Sequence, residues 1–411
     1  MVRRIQKNWI LVIALSVVVL LGLFWVNYQF ARNNPGGNDF LAHYIGTRSL
    51  ILDGVSPYSD EVALKIQDLV FGRPAQEGEI EHRVVYPLYS TLVFSPFSLI
   101  GNYVTARAAW MLFLEVSLTV MAFLALNLFV WKPKLALLGF YYLFSFFWYH
   151  AFRGLINGNA VILVGLLITG TLYAIKIGKD KLAGILLAFS TIKPNLVVLV
   201  IIFILIWCFY QKRTQLILWF LGTMIVLTLG GMLIIPNWIQ QNIWEILKYP
   251  AYNPAGSLGD VLGNWFPEIK SYLKWLISIC FSILLVCEWW IARKQEFNWF
   301  LWTVCSTLVI SQWIGIQTDP GNFVILFTPF VLVLAFLGKR WNKRGHAVVF
   351  VIMMVVLIGL WVLFVATLDH NYQPMQSSLL FLPFPAIVLI GLYWIRWWFV
   401  GSKPLIWNEF K

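Results

Sequence analysis

Charge is scarce in this chain: only 12% of its residues are Asp, Glu, Lys or Arg, whereas 60% are apolar. That leaves too little polar surface to cover a globule of 411 residues, which excludes a single water-soluble core. The formal net charge is +12, yet the basic residues form no stripe and sit in short clusters between apolar runs, so no nucleic-acid partner is read. Cysteine is nearly absent. Cys208, Cys280, Cys287 and Cys305 all fall inside apolar runs without metal-ligand spacing, which argues against a disulfide framework, a structural zinc or any other cofactor. No internal repeat is visible either, and this weakens an inverted-repeat transporter architecture.

What the chain has in abundance is apolar runs of about 20 residues, the length a helix needs to cross the hydrocarbon layer. They recur from end to end and predict an all-α polytopic membrane protein with about twelve transmembrane helices. The first run, Trp9 to Tyr28, follows a basic stretch but is too long for a cleaved signal and lacks a small-residue cleavage site, so it is expected to stay as a helix. Lys and Arg near span ends are retained in the cytoplasm. With both termini placed there, basic residues such as Arg3, Lys132, Lys176, Arg213, Arg293 and Lys339 fall on the inner side in alternation. Two polar segments, 29–103 and 236–270, then face outward. The chain divides into a module over 1–235 carrying the first outer loop and a module over 236–411 carrying the second. Tryptophans at span ends, Trp131 and Trp299 among them, suit an interfacial aromatic belt.

The first outer loop reads as structured. A helix is expected to begin at Asn38–Asp39 and a second to run from Ser59 to Phe71, capped by Ser59 and stopped by Gly72. Val62, Ile66, Leu69 and Val70 share one face of the second, as in a helix lying in the membrane interface. After Tyr86-Pro-Leu-Tyr89 comes an apolar run of about ten residues, too short to span. Further on, Lys193-Pro194 interrupts the stretch from Leu182 to Tyr210. About 11 residues of helix precede it, some 17 Å against a core of about 30 Å, so Lys193 is expected at depth, lining a wet cavity.

Candidate site residues follow from this layout. Asp39 begins a helix on which His43 shares its face and Gly46 leaves that face uncrowded, which makes it a candidate for chemistry, although a helix cap accounts for an Asp there as well. Lys193 with Asn195 at the helix break offers a recessed cation for a phosphate. Arg153 with Asn157-Gly-Asn159, on an outer turn, offers partners for sugar hydroxyls. Asp319, in Thr318-Asp-Pro-Gly-Asn322, lies on another outer turn whose residues are strong turn formers in their own right. Asp369-His370 is a similar case, and Glu115 falls within a span, paired or lining a cavity.

Taken in order, Asp39-Phe40, Tyr44, Gly54 and Pro57-Tyr58, then Tyr86-Pro87, Ser95-Pro96-Phe97, Asn157-Gly-Asn159 and Ala183-Gly184 up to Lys193-Pro194 resemble glycosyltransferase family 87. This is the polyprenyl-phosphate-mannose-dependent group of the GT-C superfamily. The resemblance covers about residues 9 to 210, and the chain departs from the family in having Asn159 where Gln often follows the turn glycine. It implies a GT-C helical bundle with a structured first outer loop, Asp39 as catalytic base and Lys193 as phosphate contact. His43, Tyr44, Tyr86, Arg153, Asn157, Asn159, Asn195 and Asp319 are then candidate substrate contacts. The expected activity is transfer of a hexose, mannose for example, from a polyprenyl-phosphate donor to a lipid or glycan acceptor on the outer face of the cell membrane. One carboxylate suffices, because a lipid phosphate leaves without a second acid to protonate it. The rival reading is a transporter or flippase of a lipid-linked substrate, which needs no base.

Overall fold

Long apolar runs can satisfy their backbone groups in lipid only as helices, and a computed structural model shows an all-helical bundle. Residues 2–252, 258–314, 320–368 and 378–401 are described. In chain order the first helices are α1 (Val2–Asn33), α2 (Asn38–Arg48), α3 (Asp60–Phe71), α4 (Thr91–Ser98), α5 (Tyr103–Leu128) and α6 (Leu135–Phe147). Next come α7 (Tyr149–Asn157), α8 (Val161–Lys176), α9 (Asp180–Phe189), α10 (Pro194–Tyr210), α11 (Thr214–Ile234) and α12 (Trp238–Tyr252). The last are α13 (Leu258–Trp265), α14 (Lys270–Ala292), α15 (Phe297–Ser311), α16 (Phe327–Arg340), α17 (Asn342–Ala366) and α18 (Pro383–Phe399).

Among the described residues seven helices are long and apolar enough to cross a bilayer, or eight if α6 and α7, bent by 48°, count as one span. Helices α8, α10 and α15 are apolar but shorter. The chain is therefore an all-α multi-pass membrane bundle, with seven or eight full-length spans among the described residues against the expected dozen. Helix α1 lies at the edge, its apolar side chains facing outward. A polar contact inside the span ties it on: Asn27 Nδ2 donates to Glu115 Oε2 of α5 at 3.0 Å.

The first loop folds largely as its local signals dictate. Ser59 accepts a hydrogen bond from the Val62 amide at the start of α3, and Gly72 ends that helix in the left-handed region. The apolar face of α3 does something different from what was expected. Val62 and Ile66 are buried in the core beside α2 and Val70 is half-buried against it, so most of the face predicted to enter lipid packs on protein, and only Leu69 of that face is exposed. The short run after Tyr89 forms a 3₁₀ turn, Leu88–Ser90, and then α4, which packs beside α2.

The Lys193-Pro194 interruption is real. Helix α9 ends at Phe189, a 3₁₀ turn takes Ser190–Ile192, and Pro194 opens α10. Proline costs little there because the first helical N–H has no intrahelical acceptor. Gly184 lets α9 press against α11, since a Cβ at that position would fall 2.5 Å from the Leu216 carbonyl. Close packing of these two helices holds the 3₁₀ turn, and with it Lys193, deep in the protein.

Candidate active site

The link between α1 and α2 turns at Gly37, with φ of 78°, and a Cβ there would stand 2.5 Å from Arg107 Nε. Only glycine meets both demands. Arg107, buried near the start of α5, donates to the carbonyl of Asn34 at 2.6 Å and to that of Ile156 at 3.0 Å. The Tyr103 hydroxyl donates to the carbonyls of Gly36 and Gly37. These bonds fix where α2 begins, and so where Asp39 stands: exposed, in the first turn, where an acidic side chain suits the helix dipole.

The next residue, Phe40, points inward and stacks on Trp110, the ring centroids 5.5 Å apart and the planes at 9°. It presses on Gly158, which closes α7 at φ of 70° and has no room for a side chain, a Cβ there falling 2.5 Å from Phe40 Cβ. Trp110 Nε1 donates to the Gly158 carbonyl at 2.8 Å. The helix that carries Asp39 and the Asn157-Gly-Asn159 turn are thus in direct contact.

One turn beyond Asp39, His43 lies between two rings, 4.0 Å from Tyr86 and stacked on Phe94 at 4.5 Å. The Lys193 ammonium sits 5.5 Å from the Tyr86 ring centroid, within cation–π range. Its Nζ donates to Asn159 Oδ1 at 2.9 Å and to Asn322 Oδ1 at 2.7 Å, and Asn159 Nδ2 donates to Asn322 Oδ1 at 3.3 Å. Asn322 comes from the 3₁₀ turn Pro320–Leu326 that leads into α16. Two carboxamide oxygens from distant segments therefore clasp the deep cation. Lys193 is only 9% exposed, and these amides form a polar cage at its ammonium. The physical reason is that a charge at this depth needs polar atoms, and protein amides supply them as well as water can.

The charges act on their neighbours. Burial first, and then the positive charge of Lys193, push the His43 imidazole down to about 3, so the ring is neutral near pH 7. Burial first, and then the negative charge of Asp39, hold the Tyr86 phenol well above its ordinary range. Tyr86 thus feels Asp39 while its ring carries Lys193. It joins the His43 ring, one turn along α2 from Asp39, to the Lys193 ammonium. His43 and Tyr86 also line, with Thr47, Tyr58 and Ser90, a small cavity with room for about one water.

The remaining candidates are placed by their own helices and turns. The Tyr44 hydroxyl donates to the carbonyl of Ile100 at 2.8 Å, which ties α2 to the turn before α5 rather than to Lys193. Arg153 is half-buried in the middle of α7, not in the turn after it, and Asn157 is the last residue of that helix. Asn195 is half-buried, the second residue of α10. Asp319, Asp369 and His370 lie outside the described residues. Two residues that sequence patterns did not single out prove central. Arg107 gave no local signal, and Asn322 stood in a recognised turn motif whose aspartate drew the attention.

Residues 85–311, over half of the chain, match the family model described as glycosyltransferase family 87. The match includes Tyr86, Asn159 and Lys193, extends well past Tyr210 where the motif resemblance stopped, and leaves out Asp39, His43 and Asn322. No curated protein matches the chain. Among solved structures it is similar to ArnT from Cupriavidus metallidurans bound to undecaprenyl phosphate, at 13% identity over 95% of this chain and 72% of that one, with a TM-score of 0.43.

Proposed function

The chain belongs to glycosyltransferase family 87, and from that premise we propose that it transfers a hexose such as mannose from a polyprenyl-phosphate donor to a lipid or glycan acceptor. The transfer takes place on the extracytoplasmic face, with both termini in the cytoplasm. The observation that carries this reading is the run of contacts from α2 to the deep cation: His43, one turn from Asp39, packs on Tyr86, and the Lys193 ammonium sits over the Tyr86 ring.

Chemically the step is a single displacement. Asp39 takes the proton of the acceptor hydroxyl as its oxygen bonds to the anomeric carbon. The bond from that carbon to the phosphate oxygen breaks, and its electron pair leaves with polyprenyl phosphate, so configuration inverts. The departing phosphate is met by Lys193. To reach the ammonium it displaces Asn159 and Asn322 oxygens, a favourable exchange because the phosphate brings a full negative charge to the ammonium where a neutral amide offers only a dipole. The carboxamides, once released, can rotate to offer N–H groups to the phosphate. His43, neutral and stacked, keeps a second positive charge out of the site and away from Lys193. Arg153 and Asn157, on the side of the turn, are offered as contacts for sugar hydroxyls. Asn195 and Asp319 are offered as outer contacts, and Tyr44 as a support of α2.

The test is to incubate the purified protein in lipid with a panel of polyprenyl-phosphate hexoses and to analyse acceptor lipids and glycans by mass. A donor-dependent mass increment of one hexose supports the reading. Movement of lipid-linked sugar across the bilayer without any covalent product would replace it with the transporter.

A further inference from the structure

Helix α12 is built inside out. The positions it turns toward the protein, at helical spacing, are Trp238, Asn242 and Glu245, with Gln241 beside them. The positions it turns outward are Ile243, Trp244, Ile246 and Leu247, between 44% and 65% exposed. In water this distribution is the wrong way round.

The inward polar face is fully used. Asn242 Nδ2 donates to the carbonyls of Val85 and Tyr86 at 3.0 and 3.2 Å. Glu245 accepts from Arg83 Nε at 2.7 Å, and Gln241 accepts from the Ser56 hydroxyl at 2.6 Å. The orientation of α12 is therefore set by hydrogen bonds to the first loop, and its apolar side faces away from that loop as a consequence.

The surroundings identify what covers that side. Helix α11 is 21 residues long, about 31 Å at 1.5 Å per residue, enough to cross the hydrocarbon core once. Its outer surface is apolar to the end, with Val226, Leu229, Leu233 and Ile234 exposed. Helix α12 starts four residues after Ile234 and so at the depth of the membrane boundary, continuing the same lipid-facing surface. Trp244 among aliphatic side chains is the residue type favoured at that boundary, and Lys248, exposed and 3.6 Å from Glu245, borders it with a positive charge.

We infer that α12 is an interfacial anchor, its Ile243, Trp244, Ile246 and Leu247 seated at the headgroup–acyl boundary while its polar face clamps the backbone of Val85 and Tyr86. The bilayer surface thereby becomes one of the supports of the segment that carries Tyr86. This inference holds whether or not the chain transfers sugar.

Depth of immersion tests it. Cys280 and Cys287, the exposed cysteines, are replaced by Ser, and Leu247→Cys is labelled with a small fluorophore in phosphatidylcholine vesicles. Glu77→Cys, on the exposed loop after α3, serves as the reference in water. The Leu247 label should be quenched at least threefold more by lipids brominated near the headgroup end of their chains than by aqueous iodide, and the Glu77 label should show the reverse. Iodide quenching of Leu247 equal to that of Glu77 overturns the inference. Insensitivity of Leu247 to both quenchers, the sign of a covering protein surface, overturns it equally.

Discussion

Replacing Lys193 by methionine removes the ammonium while keeping an unbranched chain of similar length in the same slot. The magnitude follows from the cage. An ammonium about 4 Å from a phosphate, at an effective dielectric constant of about 20, contributes about 4 kcal/mol of attraction. Against this stands the loss of the two bonds from Lys193 Nζ to Asn159 and Asn322 that the phosphate displaces. Bonds from a charged donor to a neutral amide are worth roughly 1.5 kcal/mol or more each, part of which returns when the carboxamides turn their N–H groups to the phosphate. A net deficit of about 2 to 3 kcal/mol remains, so kcat/KM for a polyprenyl-phosphate hexose should fall on the order of 100-fold, in line with the removal of one donor from an anion-stabilising site. Affinity for polyprenyl phosphate without sugar should fall with it, because the same cation meets the same phosphate. The assay is initial-rate transfer in lipid nanodiscs, paired with a binding measurement on polyprenyl phosphate and a thermal-unfolding check. A folded Lys193→Met variant that keeps kcat/KM within threefold of the parent would refute the assignment of Lys193 to the phosphate.

Three further outcomes follow. Asp39→Asn should lower transfer by about 10²- to 10⁴-fold, the range of a general base, with donor binding retained, whereas a transporter would go on moving substrate; initial rates and donor titration separate the two. Gly158→Ala should destabilise the protein by about 2 to 5 kcal/mol, since φ of 70° is strained for any other residue and the added Cβ meets Phe40 at 2.5 Å, and its unfolding midpoint should fall accordingly. His43 sets an acid limit: burial holds it at about 3 in the folded protein, below the ordinary imidazole value of 6.5, so the unfolded chain binds the extra proton first. Its contribution to stability is complete above about pH 6.5 and is lost as pH falls from there toward 3, by up to about 1.4 kcal/mol per pH unit. His43→Gln should flatten that part of a stability profile followed by denaturant titration, and an unchanged slope would count against a buried neutral ring.

Much of the site was legible because its signals are local. Ser59 and Gly72 bound α3 through backbone groups a few residues away, and the depth of Lys193 follows from counting helix residues between a cytoplasmic cluster and a proline. His43 shares a face with Asp39 by helical periodicity alone. What stayed hidden depends on chain separation. Asn322 meets Lys193 across 129 positions, and Arg107 meets the carbonyls of Asn34 and Ile156 across gaps that no periodicity reports. The lipid-facing assignment of α3 failed for a related reason: an apolar stripe says that a face is covered, not whether protein or lipid covers it. Helix α12 shows the converse, since the protein covers its polar side.

The cage around Lys193 resolves a conflict that any membrane enzyme handling a phosphate has to meet. A cation strong enough to draw a phosphate into the bundle is costly to hold at depth when no phosphate is present. The oxygens of Asn159 and Asn322 bind the ammonium closely enough to help solvate it while adding no negative charge of their own. An anion can exchange with them because it gains more from the ammonium than a neutral amide does. Since Asn322 stands at the entrance to α16 and Asn159 at the entrance to α8, that exchange loosens a polar tie between two helices at the moment the donor arrives. Asn322→Leu should then separate solvation from attraction: phosphate affinity per folded molecule is retained or raised, while thermal stability drops because the deep charge has lost a carboxamide oxygen that binds it.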